Sequence, residues 1–151
     1  MDKFQSVNEI LDFAIHAEQE AVEFYTELAK NAANSQMKQV FNDFAQEEMG
    51  HKARLLNTKE TGVMEDSKEQ VLDMKLADYM AHVTVSPDMT YADALIVAMK
   101  KEKAAFKLYL ALSERVADSE MKALFLSLAQ EESRHKLRFE IEYDEYVLRE
   151  N

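Results

Sequence analysis

Along four stretches of the chain, apolar residues recur at alternating steps of three and four, the period that lines one face of an α-helix. Ser6-Val7-Asn8-Glu9 has the spacing of a capping box, and the pattern that follows runs to about Ala32 with no Gly or Pro, which predicts a first helix. A second run is capped by Asn34 or Ser35 and reaches about Lys59, with Gly62 just beyond its end. Between Gly62 and Thr90 the pattern is less regular. Lys68 to Met80 reads as a short helix, Val83-Thr84-Val85-Ser86-Pro87 reads as extended, and the whole stretch serves as a crossover. Thr90 with Asp93 restarts the helical period to about Val116, and Asp118 caps a fourth helix that carries on to about Leu148. The expected architecture is all-α: a single domain over 1–151, with one hairpin over 6–60, a crossover over 61–90 and a second hairpin over 91–149.

The chain also repeats itself. Sliding it by 84 residues places 18–54 on 102–138 with sixteen identities in thirty-seven positions and no gap, including Glu18/Glu102, Tyr25/Tyr109, Met37/Met121, Phe41/Phe125, Glu48/Glu132 and His51/His135. Two copies of one helical hairpin, related by a pseudo-twofold axis, form a four-helix bundle.

Composition narrows what such a bundle can do. The 151 residues are 47% apolar, enough to fill one core, and only two Gly and one Pro are present, which argues against hairpin-rich sheets. A net charge of −11 would repel phosphate backbones, so nucleic-acid binding is not expected. No cysteine is present, which removes disulfides, thiolate catalysis, cysteine-ligated zinc and iron–sulfur clusters, and leaves oxygen and nitrogen as metal donors. The start lacks an apolar signal region, and the longest charge-free run, Tyr79 to Pro87, is nine residues long. That is too short to span a bilayer, so a cytoplasmic protein without a membrane partner is expected.

The chemistry lies in the apolar seams. Helix one presents Leu11, Ala14, Glu18, Ala21, Tyr25 and Leu28, and helix three presents Ala98, Glu102, Ala105, Tyr109 and Leu112. Helix two presents Met37, Phe41, Phe44, Glu48, His51 and Leu55, and helix four Met121, Phe125, Leu128, Glu132, His135 and Phe139. Every seam holds one glutamate, and helices two and four add a histidine three residues later, on the same face. An ionised glutamate inside a bundle costs several kcal/mol unless protonated or paired, and four at one level repel one another. No seam supplies a Lys or Arg there. The natural counter-charge is a pair of divalent cations held by Glu18, Glu48, His51, Glu102, Glu132 and His135, and this donor set suits iron or manganese. Tyr25 and Tyr109 read as core aromatics, as hydroxyl donors to those carboxylates, or as both.

The runs Glu18-x-x-Ala21-x-x-x-Tyr25 with Glu48-x-x-His51, and Glu102-x-x-Ala105-x-x-x-Tyr109 with Glu132-x-x-His135, resemble the rubrerythrin family in its ferritin-like di-iron domain. Phe41-x-x-x-Ala45 ahead of Glu48, copied as Phe125-x-x-x-Ala129 ahead of Glu132, extends the resemblance over both hairpins. It implies a cofactor of two iron ions, with manganese or zinc as substitutes, and a peroxidase that reduces hydrogen peroxide, or O₂, often as a homodimer. Full-length members carry a rubredoxin domain with iron on four cysteines. This chain has no cysteine, so the resemblance implies a separate electron donor such as a rubredoxin. Many members also carry a further glutamate three residues after the helix-three ligand, where this chain has Ala105.

Two other functions fit the same pattern: a ferroxidase feeding iron storage, including a bacterioferritin-like iron-binding protein, and a helical scaffold with a vestigial site. Met49, directly after the helix-two glutamate, is the position at which bacterioferritin-like proteins ligate haem, although an outward methionine is ordinarily packing or solvent-facing. His16 and His82 have no partner in the repeat and read as surface or linker residues. Glu20, Glu23, Glu47 and Glu131 lie off the seams and are assigned to solvated faces. Gly50, within a helix, points to close packing or a local distortion beside the ligands.

Overall fold

The structure, a computed structural model, describes residues 7–61, 85–86 and 89–150. Among these residues four helices account for nearly everything: α1 (Val7–Lys30), α2 (Ser35–Thr61), α3 (Tyr91–Arg115) and α4 (Ser119–Glu150). The expected starts are confirmed by capping bonds. Asn34 Oδ1 accepts from the Met37 amide at 2.9 Å, Thr90 Oγ1 accepts from the Asp93 amide at 3.0 Å, and Asp118 Oδ1 accepts from the amides of Glu120 and Met121 at 2.9 and 3.0 Å. The Ser6 cap, His82, the short helix at 68–80 and most of the extended stretch at 83–87 lie outside the described residues.

Helix direction follows from which side chains meet. Tyr25 on α1 reaches Glu102 on α3 while Tyr109 reaches Glu18, so α1 and α3 run antiparallel. His51 and Arg54 on α2 face Glu131 and Ser127 on α4, and these two are antiparallel as well. With each hairpin itself antiparallel, α2 and α3 run parallel. The end of α2 and the start of α3 therefore lie at opposite ends of the bundle, about 40 Å apart for a helix of α2's 27 residues at 1.5 Å per residue.

The helix backbones pack closely within each hairpin and stand farther apart between hairpins. The interior divides into two apolar clusters. One contains Ile10, Leu11, Ala14, Leu55, Leu112, Met121, Phe125 and Leu128, and the other contains Tyr25, Leu28, Phe41, Phe44, Leu95, Ala98 and Phe139. The second is aromatic, with Phe44 and Phe139 stacked at 4.1 Å between centroids. Buried polar residues lie between the clusters. The expected seams are buried as read, except that Met37 and Ala105 are only half-buried.

Gly50 corrects an expectation. A Cβ added there would meet nothing within 4 Å, and the residue is exposed on the outside of α2, so neither close packing nor distortion explains it. Glycine in an exposed helix interior costs about 1 kcal/mol relative to alanine. Gly50→Ala is therefore expected to stabilise the protein by about 1 kcal/mol, measured by denaturant or thermal unfolding, without altering metal content.

Candidate metal centre

The six residues singled out in the seams come together at mid-bundle. Glu18, Glu48, His51, Glu102, Glu132 and His135 are each at most 4% exposed. Their donor atoms fall into two groups that could each hold an ion: Glu18, Glu48, His51 and Glu132 in one, and Glu48, Glu102, Glu132 and His135 in the other. Glu48 and Glu132 belong to both, as carboxylates placed between two ions would.

The unpaired atoms are the informative ones. Glu18 Oε2, Glu48 Oε1, Glu102 Oε2, both oxygens of Glu132, and Nδ1 of His51 and His135 are buried with no aligned hydrogen-bond partner. They are nevertheless close together. His51 Nδ1 stands 2.9 Å from Glu132 Oε1, 3.1 Å from Glu18 Oε2 and 3.3 Å from Glu48 Oε1. His135 Nδ1 stands 3.4 Å from Glu48, 3.5 Å from Glu102 and 3.8 Å from Glu132. Lone pairs gathered at these distances without alignment point at shared positions between them rather than at each other. Buried polar groups are ordinarily satisfied, so seven such atoms in one place fit a cation centre.

Protein groups alone leave the cluster electrostatically divided. Burial, followed by repulsion from Glu48, raises the Glu18 carboxyl to about 7. Burial, with repulsion from Glu48, also raises Glu102, and burial with repulsion from Glu102 and Glu48 pushes Glu132 well up. Burial would raise Glu48 too, but the imidazoles of His135 and His51 outweigh it and hold Glu48 at about 2. Burial would lower both histidines, yet their carboxylate neighbours win, raising His51 to about 10 and His135 to about 9. Protons thus occupy the positions that cations would take.

The supporting contacts repeat across the pseudo-twofold axis. Tyr25 Oη donates to Glu102 Oε1, and Tyr109 Oη donates to Glu18 Oε1 at 2.9 Å, so each of these glutamates spends one oxygen on a tyrosine and turns the other inward. Burial, then the adjacent carboxylates, pushes both phenols far up, and they remain donors. Both readings of the tyrosines, core aromatic and carboxylate partner, therefore apply.

Glu47 is exposed, as the sequence reading has it, and Glu131 is half-buried, yet both also reach the cluster. His51 Nε2 lies 3.3 Å from Glu131 Oε1 and His135 Nε2 lies 3.2 Å from Glu47 Oε2, so each imidazole turns its outer nitrogen to a carboxylate of the other hairpin. With a cation at Nδ1, Nε2 would carry the hydrogen and donate it. Arg54 clamps Glu131, and Arg138 reaches Glu47 at 3.3 Å. The signal was present in the sequence: Glu47/Glu131 and Arg54/Arg138 are among the identities of the 84-residue repeat. The two clamps are unequal. Arg54 also donates to Ser127 at 2.9 Å, where the other half has Asp43, and Glu131 is 28% exposed against 43% for Glu47. Burial opposes ionisation of Glu131, but its bond to Arg54 prevails and holds the carboxyl below its ordinary value. His16 and Met49 lie outside the cluster; His16 pairs with Glu20 at 2.9 Å on the surface, and Met49 is 49% exposed.

Partners of this kind orient a metal-binding histidine, and their loss typically costs about 10- to 100-fold in metal affinity. Glu131→Gln is expected to weaken Co(II) or Fe(II) binding by about that factor, and Glu47→Gln by less, in competition titrations against a chelator. Equal affinities for both variants and the parent would remove the outer carboxylates from the site.

The family model for rubrerythrin matches residues 9–143. No curated protein matches the sequence. Among solved structures, the fold is similar to a protein of Thermotoga maritima assigned to the ferritin-like diiron-carboxylate proteins, with a TM-score of 0.77 and 20% identity over 97% of this chain and 99% of that one. A hypothetical protein from Pyrococcus furiosus is 30% identical over 92% of this chain and 89% of its own, with a TM-score of 0.66. A conserved hypothetical protein from Mycobacterium tuberculosis, 15% identical with a TM-score of 0.66 over 91% and 89%, shares the fold. With its duplicated hairpins, the Glu/His cluster between them and a family match that spans both, the chain belongs to the rubrerythrin family.

Proposed function

We propose that this protein is a non-haem di-iron oxidoreductase that reduces hydrogen peroxide, or O₂, with electrons from a separate donor protein. The observation that carries the reading is the convergence of seven unpartnered buried donor atoms from four glutamates and two histidines on two adjoining positions. Glu18 and His51 would hold one ion, Glu102 and His135 the other, with Glu48 and Glu132 serving both. A bound pair of irons would supply the reducing electrons and the Lewis acidity for cleavage of an O–O bond. The chain's own groups do the rest. Tyr25 and Tyr109 fix the rotamers of Glu102 and Glu18, Glu131 and Glu47 fix the ring planes of His51 and His135, and the apolar clusters at either end keep bulk water from the carboxylates. Cysteine is absent, so no thiolate-held iron in this chain can relay electrons. A separate carrier fits that composition.

The sign of the pH dependence follows from the protons that stand in for cations. His51 and His135 are raised from an ordinary 6.5 to about 10 and about 9, so their stabilisation of the metal-free fold is complete below 6.5 and lost as pH rises through 9 to 10. Glu18, raised from 4.5 to about 7, acts in the same direction, its contribution being lost as pH rises through 7. The metal-free protein is therefore expected to melt progressively lower between about pH 6 and pH 10. Fe(II) or Mn(II) should restore the melting temperature by mass action and expel protons as they bind, seen by calorimetry in buffers of different ionisation enthalpy. Identical melting with and without metal would overturn the centre. Glu48→Ala should bring the stoichiometry well below two ions per chain.

Turnover gives the second test. Anaerobically reduced, iron-loaded protein should be oxidised rapidly by hydrogen peroxide but cycle slowly with NADH alone, and a rubredoxin with its reductase should restore cycling. Fast steady-state turnover with NADH and no other protein would contradict the separate-donor assignment, and no reaction with either peroxide or O₂ would contradict the activity.

A further inference from the structure

The two hairpins do not close evenly around the Glu/His cluster. Between α1 and α3 lies a cleft of about 100 Å³, room for several waters or for one molecule of a few heavy atoms. Its walls include four alanines, Ala17 and Ala21 from α1 and Ala104 and Ala105 from α3. At its inner end stand Glu18, Glu48 and Glu132, each at most 2% exposed, with Glu18 Oε2, Glu48 Oε1 and both Glu132 oxygens lacking aligned partners. At its outer end are His16 and Glu20, paired at 2.9 Å with side chains 73% and 41% exposed, and Lys101, whose ammonium lies 5.8 Å from the Phe24 ring centre. The cleft thus joins the surface to the inward-facing carboxylates.

Its shape has a local cause. Ala105 sits at an expected seam position, yet it is half-buried and lines the cleft. Its repeat counterpart Ala21 lines the same cleft, so the two helices present methyl groups at these paired positions. Wider packing on the opposite side is excluded by rings and ion pairs: between α2 and α4 the His51 and His135 rings stack at 5.6 Å, flanked by Glu131 with Arg54 and by Glu47 with Arg138.

We propose that the α1–α3 cleft is the port through which a small oxidant reaches the Glu/His cluster, and that the methyl groups of Ala21 and Ala105 set its bore. This assignment rests on reading the cluster as a metal centre. The port favours molecules the size of hydrogen peroxide or azide over those bearing a branched alkyl group, because the four alanines of its walls stand among the bulkier Phe13, Leu108 and Tyr109. Lengthening Ala105 or Ala104 to leucine inserts three carbons into that space and leaves all six cluster residues unchanged in identity.

The test uses full-length iron-loaded protein, parent and the variants Ala105→Leu and Ala104→Leu, with metal content and thermal melting measured first. Azide binding to the oxidised protein is followed by its absorption change in a stopped-flow instrument, and oxidation of the reduced protein is followed with hydrogen peroxide and with tert-butyl hydroperoxide. The expected result is an azide association rate at least tenfold slower in Ala105→Leu, with two ions per chain retained, and a parent that reacts with tert-butyl hydroperoxide at least tenfold more slowly than with hydrogen peroxide. Ala104→Leu supplies the same readout if Ala105→Leu does not fold. Azide rates within twofold of the parent in whichever variants fold would overturn the port and leave the peroxidase reading intact. Slowed azide entry in a protein inert to both peroxides and to O₂ would uphold the port and overturn that reading. A chain that binds no metal would overturn both.

Discussion

Four carboxyl groups and two imidazoles occupy the mid-plane of the bundle with almost no access to water, and the rest of the architecture answers that constraint. Without counter-charge, each carboxylate is held in place against both desolvation and its neighbours. The protein relieves this in layers. Two histidines face the carboxylates directly, two tyrosines take one oxygen each from Glu18 and Glu102, and two arginine–glutamate pairs hold the outer faces of the histidines. What is left over, seven unsatisfied donor atoms gathered in one place, fits the binding of cations.

Much of this was legible in the sequence because helices convert spacing into geometry with little freedom. A glutamate and a histidine three residues apart in a strongly periodic run can only share a face, and an 84-residue repeat that carries both fixes where the second pair lies. The caps at Asn34, Thr90 and Asp118 were equally readable, since a side-chain acceptor next to a new apolar period has few other uses. The contacts of the outer carboxylates escape the sequence reading for an instructive reason. Glu47 and Glu131 stand one residue before the inward glutamates, so the helical wheel turns them away from the core of their own hairpin. They find the histidine of the other hairpin instead, across an interface that periodicity within one helix does not describe. Identity across the repeat marks both carboxylates and both arginines, although exposed pairs such as Lys38/Lys122 and Gln46/Gln130 are identical too.

Ala105 and Gly50 show the opposite failure. A small residue on a seam reads as ordinary core, and a glycine in a helix reads as a sign of crowding. The structure places open space beside both. Volume that is not filled leaves no pattern in a sequence, since alanine and glycine are consistent with tight packing and with a gap alike. Only the positions of the opposing helices distinguish the two.

The reciprocal tyrosine bonds have a consequence for how the halves of the molecule are aligned. Tyr25 crosses from the first hairpin to the second, and Tyr109 crosses back, so the two bonds are anchored on opposite sides of the cluster. The histidine–glutamate contacts between α2 and α4 cross in the same reciprocal way. A slip of one hairpin along the other by a single helical turn, about 5.4 Å, would break all four contacts at once. Apolar seams alone tolerate such slippage, since leucine meets leucine nearly as well one turn along. The polar cross-ties therefore act as a vernier: they define the one alignment of the two repeated halves in which the buried carboxylates and imidazoles, drawn from separate parts of the chain, stand at the same height.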